Sequence, residues 1–315
     1  MDDAINQVDI SVCCLTYNHE KYVRQALESI LNQTCTYSIE ILINDDASTD
    51  QTASIIKEFE LKYPNIIKPI YQSQNQRSKI GGGMNPTFNF NRARGRYLAF
   101  CEGDDYWVTP DKLQNQVDFL EKNNDYGAVV TDYNKVNENG NEIISDFLKT
   151  YYSEKINRDL KLQSFFHSEI KRMRTITSVL RKKSIDDLMI KGFLKNCPGD
   201  TQIFTHLICT SKVYLFLDTT SSYRILKESV SHTKSYQKKQ NFLNSYIRYM
   251  EYAVVFYKMK NSEKRYLEKT KKLAEIRDAA HHRNKKKLWC YILLLLFTGS
   301  FSRNIITNIK FAYRK

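Results

Sequence analysis

Up to Tyr133 the chain alternates between two hydrophobic rhythms. Short apolar, β-branched runs give way to stretches in which apolar residues return every three or four positions. Asp9–Tyr17 is the first run and reads as a core strand. Tyr22, Val23, Ala26, Leu27, Ile30 and Leu31 then form one helical stripe. Ile39–Asn44 is a second buried strand. The helix expected from Gln51 to Lys62, capped by Ser48 or Thr49, presents Ile55, Ile56, Phe59 and Leu61. Pro64-Asn65 ends it, and Ile66–Tyr71 is a third strand whose Pro69 demands an edge or a bulge. Residues 72–86 are polar, carry Gly81-Gly82-Gly83, and predict a mobile loop before a helix ending near Gly95. Arg96–Cys101 is a central strand. The helix from Pro110 to Lys122 offers Leu113, Val117, Phe119 and Leu120, and Gly127–Tyr133 is another strand before the Asn139-Gly140 turn. Strands alternating with helices imply a mostly parallel, right-handed α/β sheet of Rossmann type.

From 145 to 232 the rhythm is mixed: a strand at Thr177–Leu180, an apolar helix after Gly199-Asp200, and a strand at Val213–Leu217. Beyond 233, Phe242, Tyr246, Tyr249, Ala253 and Phe256 keep helical spacing. The expected organisation is a domain over 1–232, with halves at about 8–135 and 136–232, and a helical, basic region over 233–315.

Charge sharpens that division. The net +13 resides in the C-terminal part: Lys258–Lys315 holds 16 Lys and Arg against 4 Asp and Glu, leaving 32 against 31 for residues 1–257. A nearly neutral body lacks the basic face that phosphate neutralisation needs, which argues against a nucleic-acid partner. After the basic run His281–Lys287, the apolar stretch from Leu288 to Phe301 is 14 residues. As a helix it spans about 21 Å, short of the roughly 30 Å hydrocarbon core. Segment 284–301 therefore reads as an interfacial membrane anchor, with a buried helix or dimer contact as the alternative. The seven cysteines show no Cys-x-x-Cys pair, and Met1-Asp2-Asp3-Ala4 lacks signal-peptide features, so reduced core cysteines are expected.

The chemistry centres on Glu102-Gly103-Asp104-Asp105-Tyr106-Trp107, which leaves the C-terminal end of the central strand. Ligands bind at that edge of an open α/β sheet. Two adjacent carboxylates there can hold a hard divalent cation together with phosphate oxygens, or they can simply shape the turn into the next helix. The glycine run lacks the Walker pattern and reads as a linker.

These residues resemble the inverting family 2 glycosyltransferases, which have the GT-A fold. Ser11–Asn18 is similar to that family's opening strand and nucleotide loop, and Ile43–Asp50 to its Asp-Asp-x-Ser-x-Asp signature. Glu102–Trp107, followed by Lys112-Leu113-Gln114, is similar to its Asp-x-Asp-type metal motif in bacterial polysaccharide-assembly members, and Pro198–Thr201 to its downstream acidic motif. The resemblance covers roughly residues 8–232. It implies that Thr16 and Asp46 contact the nucleotide base with Tyr17 close by, although Asp46 can equally cap a helix. It implies that Asp104 faces the ribose or the metal, that Asp105 ligates Mg or Mn on the diphosphate, and that Asp200 takes the acceptor's proton so that attack inverts the anomeric centre.

The next motif departs from the pattern. Tyr223-Arg224-Ile225-Leu226 puts leucine where a metal-binding histidine is usual, with His232 as the substitute, and leaves Arg224 either to pair with the diphosphate or to pin its loop. The resemblance and the basic tail together predict transfer from a nucleotide-diphosphate sugar to a glycan, lipid-linked, at the cytoplasmic face of a bacterial inner membrane, in O-antigen, capsule or lipopolysaccharide assembly. A tethered, non-catalytic nucleotide-sugar-binding scaffold is the alternative. A nucleotidyltransferase is a weaker one, because Thr16–His19 is not its Gly-rich basic loop.

Overall fold

The computed structural model describes residues 7–152, 158–160, 162, 174–226 and 235–282. They fall into two compact units, Met1–Lys234 and Ser235–Lys315.

The first unit opens with β1 (Ile10–Thr16), α1 (Val23–Leu31), β2 (Ile39–Asp45), α2 (Thr52–Lys62) and β3 (Ile67–Tyr71). Short helices α3 (Arg77–Ile80) and α4 (Met84–Phe88) precede β4 (Tyr97–Phe100), β5 (Tyr106–Trp107), α5 (Lys112–Lys122) and β6 (Tyr126–Val136). Next come β7 (Glu142–Ile144), α6 (Phe147–Tyr152), β8 (Asp159–Leu160), β9 (Val179–Arg181), α7 (Asp186–Lys191), α8 (Gly199–Thr210) and β10 (Lys212–Arg224). One sheet runs through them in the order β3-β2-β1-β4-β9-β6-β10-β5, with β7 on β6 and β8 on β10. The first four strands are parallel, and β3 lies at the edge, where Pro69 leaves no ladder bond unmade.

Parallel alternation does not carry across the whole sheet. β9 enters antiparallel between β4 and β6, pairing Leu98 and Ala128 on either side of Leu180. β4, β6 and β10 still share one direction, so their C-terminal ends lie at the same edge as those of β1 and β2. β10 also outruns its apolar stretch. Thr220, Ser221 and Ser222 stay buried, with ladder bonds to β6 and β5 and with the Thr220 and Ser221 hydroxyls paired, so a polar run extends a core strand.

The core forms where helix stripes meet the sheet. α1 buries Val23, Ala26, Leu27 and Ile30, as its spacing predicts, and α5 buries Leu113, Val117 and Leu120. α2 differs from expectation at both ends. Its buried stripe is Thr52, Ile56 and Phe59, while Leu61 is 72% exposed. The Asp50 carboxylate, not Ser48 or Thr49, accepts the Thr52 amide at 3.0 Å, because the Ser48 hydroxyl is drawn to Asp45 at 2.5 Å. The 72–86 stretch likewise departs from an open loop. It winds into α3, a 3-10 turn over the three glycines, and α4; Gly81 reverses the chain at φ +68° between them. Cys13, Cys14 and Cys101 are fully buried, and burial holds their thiols protonated.

The second unit pairs α9 (Tyr236–Phe256), capped by the Ser235 hydroxyl, with α10 (Asn261–His281). Tyr249, Met250, Ala253, Leu267, Ala274 and Ile276 form its core, and Tyr236 stacks on His281 at 3.5 Å. Segment 284–301 and His232 lie outside the described residues. Among the described residues no helix is long and apolar enough to cross a membrane.

Candidate active site

Because β1, β2 and β4 are adjacent and parallel, the loops that follow Thr16, Asp45 and Phe100 leave the sheet side by side. Hydrogen bonds join the first two. The Asp46 amide donates to the Thr16 carbonyl (2.9 Å), the Asn18 amide to Ser48 Oγ (2.9 Å), and the Thr49 amide to Asn18 Oδ1 (2.8 Å). Asn18 and Ala47 both take left-handed conformations, φ +54° and +60°, which turn these loops sharply back on themselves. Asp45 anchors the junction by accepting from Thr16 Oγ1 (2.8 Å) and the Ser48 amide (3.1 Å). Its neighbour Asp46 does not cap α2. It receives the amides of Gln76 (2.6 Å) and Arg77 (3.1 Å) and so ties α3 to the sheet edge. Tyr17, at 45% exposure, follows Thr16 on the first of these loops.

The third loop carries the acidic cluster. The Gly103 amide donates to the Leu15 carbonyl (3.0 Å), and a Cβ here would lie 2.5 Å from Thr16 Cγ2. Only glycine lets the loop press against the end of β1. Asp104 is brought to 4.0 Å from His19 Nε2 and remains partly exposed. Asp105 is 4% exposed and accepts the Arg224 amide at 2.7 Å. Burial, reinforced by the charges of Asp104 and Glu102, pushes its carboxyl well above the usual carboxylate range.

Glu102 is the residue that motif reasoning passed over. Partly buried, with its carboxyl turned inward, it is pushed up to about 7, by burial first and by Asp104 and Asp200 in addition. Thr175 Oγ1 donates to its Oε1 at 2.9 Å, whereas Oε2 has no partner among the described residues. Its place in the Glu-Gly-Asp-Asp run was the available signal. Arg174 had none: the antiparallel β9 brings it there, with its guanidinium 4.1 Å over the Tyr223 ring and within reach of the Asp105 and Asp200 charges.

Arg224 is committed to the protein. Its Nε donates to the Asp104 carbonyl (2.8 Å), Nη1 to the Glu138 carbonyl (3.0 Å) and Nη2 to Gln25 Oε1 (2.7 Å), between the rings of Tyr22 and Tyr106. That favours the loop-pinning alternative over direct contact with a diphosphate. Asp200 sits exposed in the first turn of α8, and its carboxylate accepts the Thr201 amide at 2.7 Å. It is close enough for its charge to act on Glu102 and Arg174. The structure thus gathers Thr16, Tyr17, Asp46, Asp104, Asp105 and Arg224 at one sheet edge, with Asp200 entering from α8.

The family model for glycosyl transferase family 2 matches residues 11–185, more than half of the chain. The chain belongs to that family. The chain is 42% identical over 113 residues to an uncharacterised protein of Mycobacterium bovis, covering 36% of this chain and 32% of that one. It is 38% identical over 112 residues to the Escherichia coli enzyme WfaP, a UDP-Glc:α-D-GlcNAc-diphosphoundecaprenol β-1,3-glucosyltransferase, covering 36% of this chain and 41% of that one. The chain therefore spans about a third to two fifths of the length of these relatives. A Pyrobaculum calidifontis mannosyltransferase solved with GDP-Man and Mn2+ superposes with a TM-score of 0.61 at 15% identity, over 98% of this chain and 80% of that one. At that identity the likeness speaks for the fold, which is GT-A.

Proposed function

We propose that this glycosyltransferase moves a sugar from a nucleotide-diphosphate donor to a hydroxyl of a lipid-linked glycan, with inversion, in bacterial cell-surface polysaccharide assembly. The observation that carries the reading is the buried Asp105 carboxyl beside Asp104 at the end of β4. Carboxyl groups crowded at one sheet edge, one of them buried, favour a cation, and two carboxylates plus diphosphate oxygens suit Mg2+ or Mn2+. Among the described residues no three His, Cys, Asp or Glu side chains converge as a complete metal cage, so the donor set fits an ion shared with the substrate. Asp104 and Asp105 would hold it. When bound, the ion supplies positive charge to the departing nucleoside diphosphate.

Asp200 is the proposed base. The acceptor oxygen forms a bond to the anomeric carbon as its proton passes to the Asp200 carboxylate. The bond from the anomeric carbon to the phosphate oxygen breaks with its electron pair on the diphosphate. Thr16, Tyr17 and Asp46 line the side assigned to the nucleotide, and Arg224 fixes the Asp104-Asp105 turn. WfaP, by its name, acts on a diphosphoundecaprenol-linked sugar, which supports a lipid-linked acceptor; work at the cytoplasmic face of the membrane is part of the same proposal. The basic segment 284–301 is the proposed contact with that surface.

The test screens UDP-glucose, UDP-N-acetylglucosamine and GDP-mannose with Mn2+, Mg2+ or chelator, for the wild type, Asp105→Ala and Asp200→Asn. Metal-dependent nucleotide release that both substitutions abolish is expected. Nucleotide binding without turnover, even with lipid-linked acceptors, overturns the transfer reading in favour of a scaffold. Deleting 284–315 is expected to release the protein from membranes while sparing nucleotide binding; a truncated chain that still sediments with membranes removes the tail's role.

A further inference from the structure

The residues that hold the second wall of the site lie in the core, on α5. Lys112 is 1% exposed and its amine donates to an amide and a carbonyl oxygen, with no carboxylate paired to it among the described residues. Its Nζ donates to Gln116 Oε1 and to the Thr177 carbonyl, the latter at 3.2 Å, and stands 5.2 Å from the Trp107 ring. Gln116, one turn on, donates from Nε2 to the Thr177 and Val129 carbonyls, both at 3.0 Å. Trp107 Nε1 and Ser221 Oγ each donate to the Ile176 carbonyl at 3.2 Å. Two consecutive carbonyls of the 3-10 turn Thr175–Thr177 are thereby fastened from outside. That turn presents Thr175 to Glu102 and carries Arg174 beside it.

Burying an amine and an amide costs free energy that a methionine and a leucine of similar volume would not incur. What the polar pair adds is directional: hydrophobic packing fills space without fixing a carbonyl, whereas these donors set the position of one backbone turn. Apart from the Thr175 hydroxyl on Glu102, the turn's own side-chain bonds are local, from the hydroxyls of Thr177 and Ser178 to the Arg174 and Thr175 carbonyls. Its backbone is fastened in addition by Trp107, Lys112 and Gln116, a segment that begins two residues after Asp105, with Ser221 adding a donor from β10. One segment of sequence supplies both the carboxylates and the clamp on the wall facing them.

We propose that Lys112 and Gln116 are positioning residues for sugar transfer, holding the Arg174–Ser178 turn so that Thr175 and Arg174 meet the acidic loop. This rests on the reading of that loop as the donor site. Lys112 follows the metal motif in sequence, yet the bonds that Lys112 and Gln116 make go to each other and to backbone carbonyls, not to the motif's carboxylates.

The experiment uses the full chain with Gln116→Leu and Lys112→Met. Amide hydrogen exchange over 174–181 should speed up at least tenfold in each, while peptides over β1 and β4 keep wild-type rates. Unchanged exchange at 174–181 overturns the clamp, whatever the donor proves to be. On whichever of the three nucleotide sugars the wild type hydrolyses, kcat should fall about tenfold in Gln116→Leu with nucleoside diphosphate affinity unchanged. The double variant Gln116→Leu/Thr175→Val should be no slower than Thr175→Val alone, because the glutamine acts through that turn. Full additivity, or an unaltered kcat in a folded Lys112→Met, overturns the positioning role. If the wild type turns over none of the donors, the transfer reading fails and takes the catalytic role with it, while the exchange result still decides the clamp.

Discussion

Lys112 makes a measurable claim about stability. Burial lowers its ammonium from 10.5 to about 7, and a neutral amine has two N–H groups, which match the two oxygens it meets on Gln116 and Thr177. In the unfolded chain the amine stays protonated up to its ordinary value. Between about 7 and 10.5 the unfolded state therefore binds more protons, and stability rises with pH. Each pH unit contributes about 1.4 kcal/mol, so the full cost of charging Lys112 below pH 7 is on the order of 5 kcal/mol. Between pH 7.5 and 9.0 the wild type should gain about 2 kcal/mol relative to Lys112→Met. The variant also leaves Gln116 and the Thr177 carbonyl short of a donor, at about 1–3 kcal/mol, but that offset does not change with pH. Tyr37, raised by burial and by its bond to Asp118, titrates alike in both chains and cancels in the difference, and burial keeps Cys101, the thiol whose charge would act on Lys112, protonated across this range. Urea unfolding of both chains at the two pH values reads the effect. A stability difference that is the same at pH 7.5 and 9.0 refutes a neutral buried amine.

Gly103→Ala places a Cβ 2.5 Å from Thr16 Cγ2 and 3.0 Å from His19 Nδ1; it should cost about 1–3 kcal/mol in thermal unfolding and lower turnover by displacing the acidic loop. Asp105→Asn keeps an oxygen for the Arg224 amide but removes charge from a buried cluster, so in chelator its Tm should rise by several degrees while donor hydrolysis is lost. A lower Tm in chelator would contradict the electrostatic account of the site. Arg224→Lys cannot reach the Asp104 and Glu138 carbonyls and Gln25 together, and should lose about 3 kcal/mol in urea unfolding, with metal-dependent turnover falling alongside. A wild-type midpoint would show that the fork does not hold the loop.

Much of the nucleotide-side fold was legible because its elements obey one rule at a time. α1 buries the residues its spacing selects, and β1, β2 and β4 bury nearly every residue because both sheet faces are covered. Where two rules compete, the sequence misleads. Ser48 is a good helix cap by type, yet Asp45 takes its hydroxyl, and Asp50 caps α2 instead. Leu61 extends an apolar count but falls on the outer face of its helix. The three glycines suggest a flexible linker, but Asp46 tethers α3 at Gln76 and Arg77 and the chain winds up behind it. Side-chain bonds decided the cap and the glycine stretch, and helix facing decided Leu61.

The site itself divides along the same line. Its acidic loop could be read because Asp104 and Asp105 follow a core strand directly, so local order carries them to the sheet edge. Its facing wall could not, since Arg174 and Thr175 reach that edge only through β9, a three-residue antiparallel strand wedged between β4 and β6. So short an insertion carries no periodicity of its own; ladder bonds to both neighbours specify it, with Leu180 and Val179 filling the core between. The same wedge explains the polar residues at its start. A turn entering the middle of a sheet presents carbonyls where no strand can pair with them, and Trp107, Lys112, Gln116 and Ser221 supply the donors that the ladder lacks. The buried lysine that breaks the apolar pattern of α5 is thus the counterpart of the antiparallel strand that breaks the parallel pattern of the sheet.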